Sequence, residues 1–154
     1  MAIGRMYALG INAEAHTDAD TLIEVASAAD SVTVLERAYI SQSTFDTSEN
    51  LSAKVQRITT TGTGTTSTMN PLQAGDAAFG GTVKTNLTVE PTYTASTVLI
   101  SQGFNCLSGW LWTPASDDEV VTISPSGLVG VMLNTVPSAS MSFNYGCTLR
   151  EIGG

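Results

Sequence analysis

The chain has 154 residues, one domain's worth of sequence, and 42% of them are hydrophobic, enough apolar side chain to offset the entropy of ordering a core. Six Lys and Arg against 14 Asp and Glu leave a net charge of −8, which argues against nucleic acid or an acidic membrane as a partner. Charged residues make up only 13%, well under the roughly 25% of an average soluble domain, so Ser and Thr, roughly a quarter of the chain, must carry much of the solvation.

The opening MAIGRMYALGINAEA imitates an export leader, with Arg5 before an apolar stretch and Ala13-Glu14-Ala15 as a cleavage-like site. The apolar stretch after Arg5 ends at Asn12, short of the roughly 7 to 15 residues of a leader core, so the expectation is a chain that is not exported. No window approaches the roughly 20 apolar residues of a membrane-spanning helix. The first β-rich run is Tyr7 to Ile11. His16, Asp18 and Asp20 then alternate in AEAHTDAD; on a strand they would share one face as metal ligands. The same residues read better as a polar connector between strands, with His16 expendable. Thr21 to Val25 and Val32 to Ile40 are further strands. The second has apolar residues on both faces, Val32, Val34, Ala38 and Ile40 against Leu35 and Tyr39, which predicts that some of this surface is buried by another subunit.

From Asp46 to Thr60 the spacing of Leu51, Val55 and Ile58 suits a helix and the alternation of Leu51, Ala53 and Val55 suits a strand. The strand is preferred because the segment runs into β-branched Ile58 to Thr61. Residues 59–68, TTTGTGTTST, carry no apolar side chain and are expected to form a long exposed loop, continuing past Met69, Asn70 and Pro71 to Gly80-Gly81. Val83 to Glu90 alternates, and Asn86-Leu87-Thr88 is a glycosylation sequon without an export context. Val98 to Ser101 and Trp110 to Thr113 follow. The indoles of Trp110 and Trp112 share a strand face, a pattern commoner in cores and subunit interfaces than in sugar-stacking platforms. Asp117, Asp118 and Glu119 lack the spacing of a calcium loop. Val120 to Ile123 and Leu128 to Leu133 lead to the clearest strand, where Met141, Phe143, Tyr145, Cys147 and Leu149 alternate with polar or small residues. Many short strands separated by turn residues predict an all-β fold, an antiparallel sandwich or barrel in one domain.

Catalytic patterns are absent from the sequence. His16 is the sole histidine, no nucleophile elbow accompanies it, and the Thr-rich glycines lack the Lys of a phosphate loop. No enzyme activity and no cofactor or metal are expected. Cys106 and Cys147 are expected to stay reduced.

In chain order, RMYALGI, TLIEVASA, VTVLERAYISQS, TSENLSAKVQRITTTGTGTTSTMNPLQAGD, a Trp-containing strand, a Pro-Ser-Gly turn and a final strand ending LREIGG resemble small jelly-roll capsid decoration, or cement, proteins of tailed bacteriophages. The likeness runs over most of residues 5–153 and rests on element order and the RITTTGTGT and REIGG stretches. The resemblance implies a jelly-roll sandwich that binds the outside of a shell of major capsid protein. It also implies a homotrimer on the virion surface, found in the host cytoplasm during assembly, and no active-site residues. The contact residues expected are Ile3, Arg5, Met6 and Tyr7 in the N-terminal segment, Thr61, Thr63, Thr65, Thr66 and Met69 in the long loop, and Trp110 and Trp112. A receptor- or glycan-binding module of a fibre or cell surface is the alternative.

Overall fold

The computed structural model describes residues 4–44 and 48–153. Ile3, expected as a contact, lies outside the described residues, as does Asp46. The strands are β1 (Arg5–His16), β2 (Thr21–Ala26), β3 (Ser31–Gln42), β4 (Asn50–Thr60), β5 (Thr63–Ser67), β6 (Asn70–Pro71), β7 (Thr82–Val89), β8 (Thr92–Asn105), β9 (Trp110–Trp112), β10 (Val121–Ile123), β11 (Leu128–Leu133) and β12 (Met141–Gly153). All pair antiparallel, in two sheets of six. One sheet runs β10-β3-β12-β1-β6, with β9 also on β3; the other runs β5-β7-β2-β11-β4-β8. This is the all-β sandwich expected, and the segment before Thr60 is a strand.

The clearest alternation in the sequence builds the centre of the first sheet. Met141, Phe143, Tyr145, Cys147 and Leu149 of β12 are all buried and belong to one core with Ile23, Val25, Val55, Val131 and Leu133 of the facing sheet. A two-residue period puts every second side chain on the inner face.

Two bulges reset that period and were invisible in the sequence pattern. Between Thr148 and Leu149 of β12, the β3 partner jumps from Arg37 to Leu35, so Glu36 is the extra residue. Inward positions are therefore odd before it (Thr33, Leu35) and even after it (Ala38, Ile40), as an inserted residue requires. The two-faced apolar pattern of Val32 to Ile40 thus arises in part from a parity change, although Val34, of outward parity and outside the main core, is also only 3% exposed. The same happens in β1: the register shifts between Ile11 and Glu14, with Ala13 at φ 53°. Tyr7 and Leu9 are buried before the shift and His16 after it.

The Thr-rich stretch is not a loop. Thr59 and Thr60 complete β4, and Thr63–Ser67 forms β5 at the edge of the second sheet, paired with β7. Thr is β-branched and at home in an extended edge strand without any apolar partner. The glycines allow the close crossing: a Cβ at Gly62 would meet the Val89 carbonyl at 2.5 Å, and one at Gly64 the Thr85 carbonyl at 2.8 Å. Residues 59–63 also cap a buried charge, since Glu24 accepts hydrogen bonds from the Thr61 hydroxyl and, at 2.8 Å, the Gly62 N–H, with Lys84 at 3.5 Å.

Candidate contact surface

The expected contact residues divide by burial. Tyr7, Met69 and Trp110 are core residues, with 0%, 4% and 3% of their surface exposed, and are corrected as contacts. Inward parity explains Tyr7 and Trp110. Tyr7 pairs Leu149 on β12, and its ring stands edge-on to Phe79 with centroids 5.2 Å apart. Burial first, and then the charge of Glu151, raise its hydroxyl above the ordinary tyrosine range. Met69 joins the core just before β6. Trp110 lies opposite Ile40 and its Nε1 donates to Gln102 Oε1 at 3.2 Å, tying β9 of one sheet to β8 of the other. The indole pair therefore faces inward and offers no sugar-stacking platform; Leu111 between them is the exposed side chain.

The remaining residues stay at the surface but do not converge. Arg5 and Met6 begin β1, where the Leu72 N–H donates to the Met6 carbonyl at 2.8 Å. Thr61, Thr63, Thr65 and Thr66 are exposed along β5 and its approach. Trp112 is half-buried on the far side of the sandwich, where β9 and β10 run along β3.

That far side carries a free edge of the second sheet. Strand β8 is the last strand of the second sheet and pairs only with β4. Its 14 residues, TYTASTVLISQGFN, include no charged side chain. Val98 and Leu99 on it are exposed, as are Leu107 and Leu111 nearby in the chain. An edge strand presents unpaired N–H and C=O groups, and proteins usually guard such edges with charge, proline or shortness. Here the guarding is confined to the first half, where the register slips between Val55 and Thr60 and Ser96 sits at φ 62°. Between this edge and β10 lies a groove of about 470 Å³ lined by Arg57, Leu99, Ile100, Trp112 and residues 118–122. Arg57 spans it, both terminal nitrogens donating to the Thr122 carbonyl at 3.3 Å. The sequence pattern marks only Val98 to Ser101 of β8 as strand. The signal for the edge was there, a charge-free run in a chain of net charge −8.

Among the described residues no group of three or more His, Cys, Asp and Glu surrounds a common metal position. Cys106 and Cys147 are both buried and form no disulfide, and burial pushes the Cys147 thiol up to about 12, far from a reactive thiolate. The chain matches no protein-family model, no curated protein and no solved structure.

Proposed function

We propose that the protein is a virion structural protein that binds the outside of an assembled phage shell and reinforces it, with the β8 edge as its docking element. The observation that carries this reading is the long, uncharged, one-sided strand β8 beside a groove with exposed Val98 and Leu99. Such an edge gains affinity from main-chain hydrogen bonds when a partner strand is added to it. The strand itself carries no charge, while Arg57, Asp118 and Glu119 line the groove beside it.

Strand order supports a jelly-roll path. Setting aside β5, β6, β7 and β9, the sheets reduce to β10-β3-β12-β1 and β2-β11-β4-β8. These are two four-stranded sheets between which the chain passes repeatedly, as in the eight-stranded double Greek key of capsid and lectin domains. Homotrimerisation belongs to the same reading, and light scattering at micromolar concentration should report a mass near three chains.

The test is sedimentation with empty heads of tailed phages. The wild-type chain should pellet saturably with the shells of its cognate phage. V98K/L99K should lose at least tenfold in affinity while its thermal midpoint stays within 2–3 °C, the scale of a surface change. Failure of the wild-type chain to pellet with any head refutes the function; equal pelleting of wild type and variant refutes the docking edge.

A further inference from the structure

The β1 bulge turns Glu14 and His16 toward the interior at the end of the first sheet, opposite Phe143 and Met141 of β12. His16 is 7% exposed. Its Nδ1 lies 2.8 Å from Asp20 Oδ2, and an ionised carboxylate only accepts, so Nδ1 carries the proton. In the neutral ring that leaves a lone pair on Nε2. Facing it at 3.8 Å is Glu14 Oε1, a second acceptor. Both atoms are buried and neither has a hydrogen-bond partner. Glu14 is itself held from behind, because the Tyr145 hydroxyl donates to its other oxygen.

Two buried acceptors facing one another are stable only with a positive charge between them, either a proton on Nε2 or a cation. Their separation exceeds the roughly 2.7–3.2 Å of an N–H···O bond. Two ligands each roughly 2.0–2.2 Å from one tetrahedral ion stand roughly 3.4 Å apart, so a shift of a few tenths of an ångström would seat an ion. The backing also fits: a carboxylate on the far nitrogen of a ligating imidazole fixes tautomer and orientation and raises basicity. Glu14 as a whole is 19% exposed, but Oε1 and Nε2 are themselves buried, so the small shift that seats the ion must also admit water as its remaining ligands.

We propose that Glu14 Oε1 and His16 Nε2 form a two-residue seat for a divalent transition cation of the zinc class, with Asp20 and Tyr145 as positioning residues. The ligand set differs from the His16, Asp18, Asp20 alternation of the sequence. Asp18 is in the following turn, exposed, and accepts from Thr17, while the bulge brings in Glu14. Both ligands lie on β1, and the His16–Asp20 bond would carry the ion's hold to the connection into β2, where the chain crosses between sheets.

The probe is cobalt(II), then zinc(II), added to untagged, chelator-treated protein. Because His16 is the sole histidine, one imidazole reports the result. Expected are uptake of one equivalent, a perturbed His16 Nε2 resonance in nitrogen-15 spectra, and a thermal midpoint raised by metal. E14Q, which keeps an acceptor for Tyr145, and H16Q should each weaken uptake more than tenfold. D20N should weaken it by about tenfold, the lower end of effects seen for such outer partners. No uptake by the wild-type chain, a midpoint and Nε2 resonance unmoved by metal, or equal uptake by E14Q and H16Q overturns the proposal. Shell sedimentation plays no part in the readout, so this test and that of the docking edge fail independently.

Discussion

Glu151 continues the inward row of β12 beyond Leu149 and is 3% exposed. It accepts from the Gly80 N–H at 3.0 Å, the Ser31 hydroxyl at 3.2 Å and the Tyr7 hydroxyl at 3.3 Å. Truncation in E151A removes all three bonds and opens a void beneath them. Tyr7 keeps a second acceptor, the Ala77 carbonyl at 3.0 Å, and Gly80 is exposed enough to find water, so the main orphan is Ser31, itself 2% exposed. One stranded buried hydroxyl costs about 1–3 kcal/mol, and loss of bonds to a charged acceptor adds to it. The expected total is about 2–4 kcal/mol, a fall in thermal midpoint of roughly 5–12 °C for a domain of this size. E151Q keeps an acceptor for Gly80 and Ser31 and should cost about 1 kcal/mol. Urea unfolding followed by the fluorescence of buried Trp110 gives both values. Limited proteolysis should show faster cleavage at residues 77–81 in E151A alone, because Gly80 loses its tether. If E151A lies within about 0.5 kcal/mol of wild type, the buried carboxylate does not organise this end of the sandwich.

Alkaline pH should expose the buried tyrosines. Burial raises Tyr145 and Tyr93 well above the ordinary value, helped in Tyr145 by its bond to Glu14, and it raises Tyr7 as well. The folded state thus holds protons that the unfolded chain releases near pH 10, so stability is intact below that pH and falls as pH rises past it. Tyrosinate absorbance should accordingly grow in step with loss of circular dichroism; ionisation of three tyrosines in a chain that stays folded would refute the burial. G146A should be destabilising by about 2–3 kcal/mol, since its Cβ would overlap the Leu9 carbonyl and meet Tyr39 Oη at 2.6 Å. Adding Y39A should not restore the urea midpoint, because the backbone clash persists; full rescue would place the strain in the Tyr39 ring alone.

What was legible followed from periodicity. The row from Met141 to Leu149 announced an inner face, and that face is the centre of the molecule. Periodicity fails where a single residue is inserted, because Glu36 and the turn at Ala13 shift every later side chain by one position without altering composition. Thr63–Ser67 was misread because an edge strand held by backbone bonds and close glycine contacts needs no hydrophobic pattern. The edge of β8 was half legible: its β-branched centre read as strand, but the polar Thr92–Ser96 and Gln102–Asn105 flanks did not. Glu14 and His16, two residues apart, share a face by simple alternation, but the bulge at Ala13 is what turns that face inward, and no spacing rule shows it.

The position of β12 has a consequence for how the chain is made. Strand β12, the most C-terminal among the described residues, lies between β3 and β1, with Tyr7 registered against Leu149 and Cys147 against Ala38. Until residues 141–153 emerge, β1 and β3 have no partner along those sides, and the first sheet has no middle. The second sheet, with β2, β4, β7, β8 and β11 already synthesised, can form earlier, with its apolar face awaiting cover. Folding therefore waits on the insertion of one strand over a sequence separation of more than a hundred residues, a slow, high-contact-order closure. Nascent or truncated chains lacking that strand would carry two open edges and a bare apolar face. Quality control of this protein would then come down to a single late event, the arrival of its central strand.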